Sequence, residues 1–141
     1  MILLDTNVIS ELMRPLPEPR VVRWLDARPE FDLWISALTV AEIRLGIALL
    51  PEGKRKGLLT DLAEQTFRED FSEQCLPFDC EAAGEYALIV AERNRKGRPV
   101  SVEDAQIAAV ARTAGLILAT RNTKDFSGIQ GLALVNPWVD S

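Results

Sequence analysis

The first seven residues constrain the fold more than any other part of the chain. Ile2, Leu3 and Leu4 form an apolar run without polar alternation, and Asp5 follows it directly. Such a run predicts a strand covered on both faces, as in the centre of a parallel sheet. Ligands of open α/β sheets bind beyond the carboxyl ends of the strands, so Asp5 is placed where chemistry is usually done. The alternative is structural, because Asp, Thr and Asn also serve as helix N-caps.

The length and composition predict one ordinary globular domain. The chain has 141 residues, of which 48% are hydrophobic and 26% charged, and a chain of this size builds a single core. No stretch approaches the roughly 20 apolar residues of a membrane span, and the N-terminus does not resemble a signal peptide. We therefore expect a cytoplasmic protein, with one domain over 1–141 and no membrane association. Cys75 and Cys80 fit no metal-binding spacing and are predicted to be free, buried thiols.

The composition also excludes several kinds of catalysis. The chain contains no histidine, which rules out Ser-His-Asp and Cys-His mechanisms and histidine-bound zinc for this chain alone. Catalysis would have to use carboxylates, lysine, hydroxyls or a metal held by oxygen ligands. The formal net charge of −5 argues mildly against broad electrostatic attraction to nucleic acid, but it leaves room for a local basic surface.

Strands and helices alternate along the chain. The predicted helices cover 8–13, 21–29, 38–50, 53–70, 79–97 and 101–115. The predicted strands, besides the first, cover 33–35, 76–78, 116–119 and 132–135. Alternation of this kind predicts a single α/β domain with a mainly parallel central sheet flanked by helices.

Glu42 lies within an apolar row on the predicted helix 38–50. Leu38 and Leu45 flank it on one helix face, and Leu49 continues the row. Burying an unpaired carboxylate is costly, so Glu42 is expected to have a cation, a hydrogen-bond donor or a metal as its partner. The alternative is a side chain at the edge of the row that extends into water.

Asp104 has similar surroundings near the start of another predicted helix. It follows Ser101 by three positions, as in a capping box, although that motif prefers Glu or Gln there. It also shares a helix face with Ile107, Ala108 and Ala111, and these mostly small side chains would let a ligand approach closely. The sequence alone leaves both capping and function open for Asp104.

The predicted topology joins these acids in one hypothesis. Asp5 and Asp125 follow strands, and Glu42 and Asp104 lie near helix starts, so all four can meet at one edge of the sheet. Carboxylates gathered there would repel by about 4 kcal/mol per pair at about 4 Å and an effective dielectric of about 20. Mg²⁺ or Mn²⁺ would neutralise them, since both take oxygen ligands and keep waters that a phosphodiester can replace. Such a site activates water for in-line attack.

Four motifs occur in an order that resembles a known family. They are Met1–Ser10 with Asp5, Ala41–Gly46 with Glu42, Asp104 on an alanine-rich helix, and Ala119–Phe126 with Asp125. With the terminal Asn-Pro-Trp at 136–138, they make nearly the whole chain similar to PIN-domain proteins of the VapC type, and most similar to the FitB-like branch. The resemblance implies a Mg²⁺-dependent endoribonuclease that cleaves single-stranded RNA, the toxin of a type II toxin-antitoxin pair.

The resemblance also implies which residues form the site. The metal ligands that carry over are all acids: Asp5, Glu42, Asp104 and Asp125. Asn122 supports them as a neutral oxygen ligand or a residue that orients water, and either it or Asp125 completes the site. Thr6 and Thr120 resemble hydroxyl residues that orient the first carboxylate and the scissile phosphate. The arginines expected to contact the RNA backbone are Arg93, Arg95 and Arg121.

The implied partners are RNA, a VapB- or FitA-like antitoxin and a second copy of the chain, with DNA bound only through the antitoxin. Three other functions fit parts of the sequence. A PIN nuclease that processes RNA without an antitoxin would have the same acids, as would a PIN-like module that binds RNA or a partner without cutting. An aspartyl-phosphate phosphatase also has Asp after its first strand, but it needs an acid two positions later, where this chain has Asn7.

Overall fold

The computed structural model describes residues 1–140, and within them five parallel strands form the central sheet. The strands are β1 (Ile2–Leu4), β2 (Leu33–Ser36), β3 (Cys75–Leu76), β4 (Ile117–Ala119) and β5 (Leu134–Val135). Their order is β3-β2-β1-β4-β5, and every neighbouring pair is parallel. The first strand is therefore central, as its uninterrupted apolar sequence predicts. The last residue of the predicted domain, Ser141, lies outside the described residues.

Seven α-helices connect or follow these strands within the same residues. They are α1 (Thr6–Leu12), α2 (Pro19–Asp26), α3 (Ala37–Ala48), α4 (Lys54–Gln65), α5 (Cys80–Arg95), α6 (Val102–Ala114) and α7 (Thr123–Phe126). A 3-10 turn covers Glu30–Asp32, and a π-helical turn over Thr66–Asp70 extends α4. The predicted α/β class with a mainly parallel sheet is confirmed.

Side-chain caps explain where three of the helices begin. The Ser36 hydroxyl accepts a hydrogen bond from the Thr39 amide at 3.3 Å at the start of α3. Asp79 caps α5 and Ser101 caps α6 in the same way. Gly115 ends α6 in a left-handed conformation at φ 69°, which glycine adopts without steric cost. Ser and Asp are residue types that favour the N-cap position.

The core occupies both faces of the sheet. Leu3 and Leu118 pair across neighbouring strands and pack against α5, α6 and α7 on one face. Leu4 and Ala119 also pair, and they pack on the other face against residues of α1 to α4. Both leucines of β1 are fully buried, because helices cover the central strand on both sides.

Several details differ from the sequence predictions. Leu45 and Leu49 are 60% and 76% exposed, so the apolar row of α3 is an open surface; the helix buries Thr39 and Ile43 instead. Cys75 and Cys80 are free as predicted, but both are exposed rather than buried. The short α7 was not predicted, since four residues hold too little periodicity to signal a helix. No helix of residues 1–140 has the length and apolar character needed to cross a membrane.

Candidate active site

A cavity of about 460 Å³ opens where β1 and β4 end. Its acidic lining residues are Asp5, Glu11, Glu42, Glu103 and Asp104. Its other lining residues are Thr6, Asn7, Ser10, Arg14, Ile107, Arg121, Asn122 and Trp138. Asp5 follows β1, Glu42 lies on α3 and Asp104 lies on α6. These three acids are far apart in sequence but line one cavity, as the topology predicts.

Asp5 is held rigidly at the wall of this cavity. Its side chain is largely buried. One carboxylate oxygen, Oδ1, accepts a hydrogen bond from the Thr6 amide at 2.8 Å, and Oδ2 accepts one from the Thr120 hydroxyl at 2.8 Å. The structural and functional interpretations of Asp5 are therefore compatible, because the residue caps α1 and also faces the cavity.

Thr120 organises the loop that leaves β4. Its hydroxyl is fully buried and accepts hydrogen bonds from the Asn7 side-chain amide at 3.2 Å and the Asn122 backbone amide at 3.1 Å. Asn7 in turn accepts a hydrogen bond from the Arg121 amide at 3.3 Å. Because these bonds join α1 to the loop, they fix how the Asp5 carboxylate is presented to the cavity.

The pKa of Asp5 is raised by its surroundings. Burial is the main cause, because a carboxylate loses hydration in a low-dielectric site. Hydrogen bonds from Thr120 and Thr6 offset part of this effect, and the negative charge of Asp104 adds to it. Burial and the neighbouring acid therefore disfavour the charged form of the Asp5 carboxyl.

The pKa values of Glu42 and Asp104 are raised for related reasons. Burial is again the largest cause for each. The charges of Asp5, Glu103 and Asp104 then raise the pKa of Glu42, while the nearby Thr6 hydroxyl lowers it. Glu103 also raises the pKa of Asp104. These acids thus repel one another. Glu42 itself is exposed, so the apolar row around it is not part of the core.

The donor set of the cavity fits a hard divalent cation. All the acidic ligands offer oxygen atoms, the kind of donor that Mg²⁺ and Mn²⁺ prefer. Among the described residues, no Lys or Arg forms an ion pair with Asp5, Glu42, Glu103 or Asp104. Within residues 1–140, no three acids stand close enough to make a preassembled metal site. The carboxylates share one cavity without converging on a point.

Two residues, Asn122 and Asp125, are the predicted alternatives for the fourth ligand. Asn122 lines the cavity, whereas Asp125 lies on α7 outside the lining and is exposed. Asp125 is nevertheless close enough for its charge to raise the pKa of Asp104. Which of the two completes the site stays a prediction.

The expectation that Arg93 contacts RNA is wrong. Its side chain is only 6% exposed. Its Nε donates to the Arg98 carbonyl at 2.7 Å, and its Nη1 donates to the Ser127 carbonyl at 2.6 Å. A longer bond of 3.5 Å reaches the Asp125 carbonyl. Arg93 therefore ties the end of α5 to α7, and its guanidinium is occupied. Arg95 is exposed but does not line the acidic cavity.

Sequence reasoning missed one face of α1. Asn7, Ser10, Glu11 and Arg14 all line the cavity, and their spacing of three, four and seven places them on one side of a helix. The regular spacing of these polar residues was the feature of the sequence from which this face could have been predicted. Glu11 is buried and accepts hydrogen bonds from the Glu18 amide at 2.9 Å and from Arg14 at 3.0 Å. The Glu18 bond is the main reason that the pKa of Glu11 is lowered.

A second cavity of about 700 Å³ adjoins the first and shares Thr6, Ser10, Arg14 and Glu42 with it. Its remaining walls are mostly apolar and come from the end of α1, from α3 and from α4. The larger apolar residues among them are Met13, Ile43, Ile47, Leu50, Leu58, Leu59 and Leu62. An open apolar cleft of this kind is typical of a surface that binds another molecule.

Comparison with known proteins gives consistent results. A PIN domain model matches residues 2–132. The chain is 46% identical over 140 residues to Toxin FitB of Neisseria gonorrhoeae, covering 99% of this chain and 100% of that protein. It is 41% identical over 138 residues to VapC ribonuclease Y4jK of Sinorhizobium fredii, covering 98% of each.

The fold is also similar to that of solved structures. The structure of FitAB bound to an IR36 DNA fragment superposes with a TM-score of 0.93 at 45% identity, covering 100% of this chain and 98% of the other. The sequence likeness extends over essentially the whole chain, and the acidic cavity lies where the predicted topology places it. The chain therefore belongs to the PIN-domain family and, with FitB and VapC ribonucleases, to its VapC type.

Proposed function

We propose that this chain is a Mg²⁺-dependent endoribonuclease that cleaves single-stranded RNA and acts as the toxin of a type II toxin-antitoxin system. The observation that carries the proposal is the shared cavity of Asp5, Glu42 and Asp104 in a PIN fold. Relatives named as ribonucleases and as a toxin support the reaction and the biological role. The proposed domain is the whole chain, 1–141.

Each residue of the cavity has a distinct role in this proposal. Asp5, Glu42 and Asp104 would hold Mg²⁺, with Mn²⁺ as a substitute, and either Asn122 or Asp125 would complete the ligands. The bound cation would supply a water of lowered pKa and would neutralise charge on the phosphate. The Thr120 hydroxyl and the Thr6 backbone amide hold the Asp5 carboxylate in place, whereas the Thr6 hydroxyl forms its hydrogen bond with the Thr39 hydroxyl.

The proposed partners follow from the same family and from the surface. The solved structure of FitAB bound to a DNA fragment suggests that a VapB- or FitA-like antitoxin binds this chain, with DNA bound only through that antitoxin. The apolar cleft beside Glu42 offers such a protein a surface. We further propose that the chain is a homodimer and that it acts in the cytoplasm, where its RNA substrate is.

Cleavage by the purified protein, free of antitoxin, tests the proposal. With Mg²⁺ or Mn²⁺, unstructured RNA should be cut while duplex RNA and DNA of the same sequence stay largely intact. EDTA should slow cleavage by at least about 1,000-fold, because the metal supplies the nucleophile and the charge stabilisation. Gel analysis of end-labelled RNA measures both results, and cleavage at full rate in EDTA would contradict the mechanism.

The alternatives give different outcomes in the same experiments. A binding module would retain RNA without forming products. An RNA-processing nuclease would cleave, but its gene would lack a short upstream reading frame, and its expression alone would not arrest growth. Growth arrest that is relieved by co-expressing the upstream frame would support the toxin role.

Thermal unfolding gives a second, independent test of the metal site. The folded-state pKa values of Asp5, Glu42 and Asp104 are raised, so the folded protein binds their protons more readily than the unfolded chain does. Their contribution to stability is therefore fully present at low pH and is lost as the pH rises through the raised values. Mg²⁺ should reverse this loss.

We expect Mg²⁺ at about ten times its dissociation constant to add about 1.4 kcal/mol, or roughly 4 °C in Tm, at pH 8. The Tm increase should shrink as the pH falls and the acids take up protons. Asp104→Asn should unfold at a higher temperature than wild type without Mg²⁺ and should respond less to it. Asp61→Asn, which removes an exposed acid from another surface, is the control and should behave like wild type. Equal Mg²⁺ responses in both variants would contradict the assignment.

A further inference from the structure

Arginines cluster on α2 and just after its end, although the chain carries a formal net charge of −5. Arg20, Arg23 and Arg28 line a cavity of about 390 Å³ together with Trp24. The guanidinium carbon of Arg28 lies 3.7 Å from the centroid of the Trp24 ring, a stacked arrangement. A negative net charge does not exclude a local basic surface, and this arginine cluster is such a surface.

The positive charge of the arginine cluster is not neutralised within the described chain. None of its three arginines takes part in an ion pair with residues 1–140. Asp140 also lines the cavity and adds one negative charge to the three positive charges of the arginines. The cluster therefore keeps a net positive charge and free guanidinium donors, which bind phosphate well.

The C-terminal segment 136–140 connects this cluster to the acidic cavity. Arg20 donates a hydrogen bond to the Val139 carbonyl at 2.9 Å, so α2 lies against the segment. The neighbouring Trp138 lines the acidic cavity. The guanidinium carbon of Arg121, another lining residue, lies 5.0 Å from the centroid of the Trp138 ring. A basic and aromatic path thus runs from the acids to the arginine cluster.

We propose that single-stranded RNA leaves the acidic cavity over the Arg121–Trp138 pair and that the arginine cluster binds its backbone phosphates. The inference rests on the proposed ribonuclease function and adds a second contact site to it. Bases of single strands stack on aromatic rings and on guanidinium planes, which the Arg121–Trp138 pair offers. The arginine cluster supplies the attraction for phosphate that the acidic cavity cannot supply.

Arg23→Glu tests the proposal with little risk to the fold. Arg23 is exposed, whereas Arg20 and Arg28 also donate hydrogen bonds to backbone carbonyls. Lys54→Glu is the matched control, because it makes the same change in net charge at an exposed residue that lines neither cavity. Fluorescence anisotropy in EDTA measures binding without cleavage, and initial rates in Mg²⁺ give KM and kcat. Each variant is tested with a dinucleotide and a 20-nucleotide unstructured RNA.

We expect Arg23→Glu to weaken binding of the long RNA by about 5- to 10-fold and to raise its KM with kcat unchanged. The slope of log Kd against log salt should fall by about 0.7 for each phosphate that the variant no longer binds. The dinucleotide has a single phosphate, which occupies the acidic cavity, so it should bind as it does to wild type. Arg121→Gln, nearer the acids, should weaken binding of both RNAs.

Equal affinity of Arg23→Glu and Lys54→Glu for the long RNA would overturn the inference, as would equal reductions in affinity for the long and short RNAs. Failure of the proposed function gives a different result. In that case wild-type protein forms no products in Mg²⁺, while the length-dependent effect of Arg23→Glu on binding is still measurable. The two hypotheses therefore fail separately.

Discussion

The Asp104→Asn protein is expected to cleave RNA at least about 1,000-fold more slowly than wild type while keeping its fold. Asp104 lies near the start of α6, faces the acidic cavity and has a raised pKa. Replacing its carboxylate by an amide removes one charged oxygen ligand and weakens the hold on the metal, which provides both nucleophile and charge stabilisation. The rate in single-turnover cleavage at saturating Mg²⁺ measures the loss.

Glu103→Gln is the matched control for this prediction. Glu103 is the preceding residue, lines the same cavity and carries the same charge, but it is not among the predicted ligands. Its substitution should slow cleavage by less than about 10-fold. Asp5→Asn and Glu42→Gln should behave like Asp104→Asn. Full activity in any of these three variants, or equal losses in Glu103→Gln and Asp104→Asn, would show that the ligand assignment is wrong.

Arg93→Met is expected to lower the free energy of unfolding by about 2–4 kcal/mol, the largest stability effect that we predict. The substitution keeps most of the apolar side chain but removes the donors to the carbonyls of Arg98, Ser127 and Asp125. The three carbonyls would lose their charged hydrogen-bond donor, and α7 would lose its connection to α5. Urea denaturation followed by circular dichroism measures the change.

Arg95→Met provides the comparison for Arg93→Met. Arg95 belongs to the same helix but is exposed, so its loss should change stability by no more than about 0.5 kcal/mol. Arg93→Lys should recover part of the loss, because an ammonium can still donate to some of the carbonyls. If Arg93→Met were as stable as Arg95→Met, the buried guanidinium would not be what holds α7 in place.

Sequence alone predicts the parts of this fold that depend on local patterns. The apolar run before Asp5 is buried on both faces because β1 is central, and the caps at Ser36, Asp79 and Ser101 form as their residue types indicate. That Asp5 and Asp104 line one cavity could be inferred from the topology. The end of β1 and the start of α6 are expected at the same edge of a parallel sheet. These features follow from periodicity and topology.

Features that depend on long-range packing could not be predicted in this way. A run of arginines signals positive charge, but only the packed structure shows that Arg93 donates its hydrogen bonds to backbone carbonyls while Arg95 faces solvent. Leu45 and Leu49 have the period of a core helix, yet no element covers them in the described chain. Periodicity identifies an apolar face and cannot identify what lies against it.

The central position of the first strand has a consequence for protein synthesis. The hydroxyl that orients Asp5 belongs to a residue 115 positions later in the chain, and β4 must be in place before β1 is flanked on both sides. Translation releases β1 before β4, so the Asp5 carboxylate gains that partner only after β4 has left the ribosome. A nascent chain that ends before β4 therefore lacks the hydroxyl that holds the Asp5 carboxylate in place.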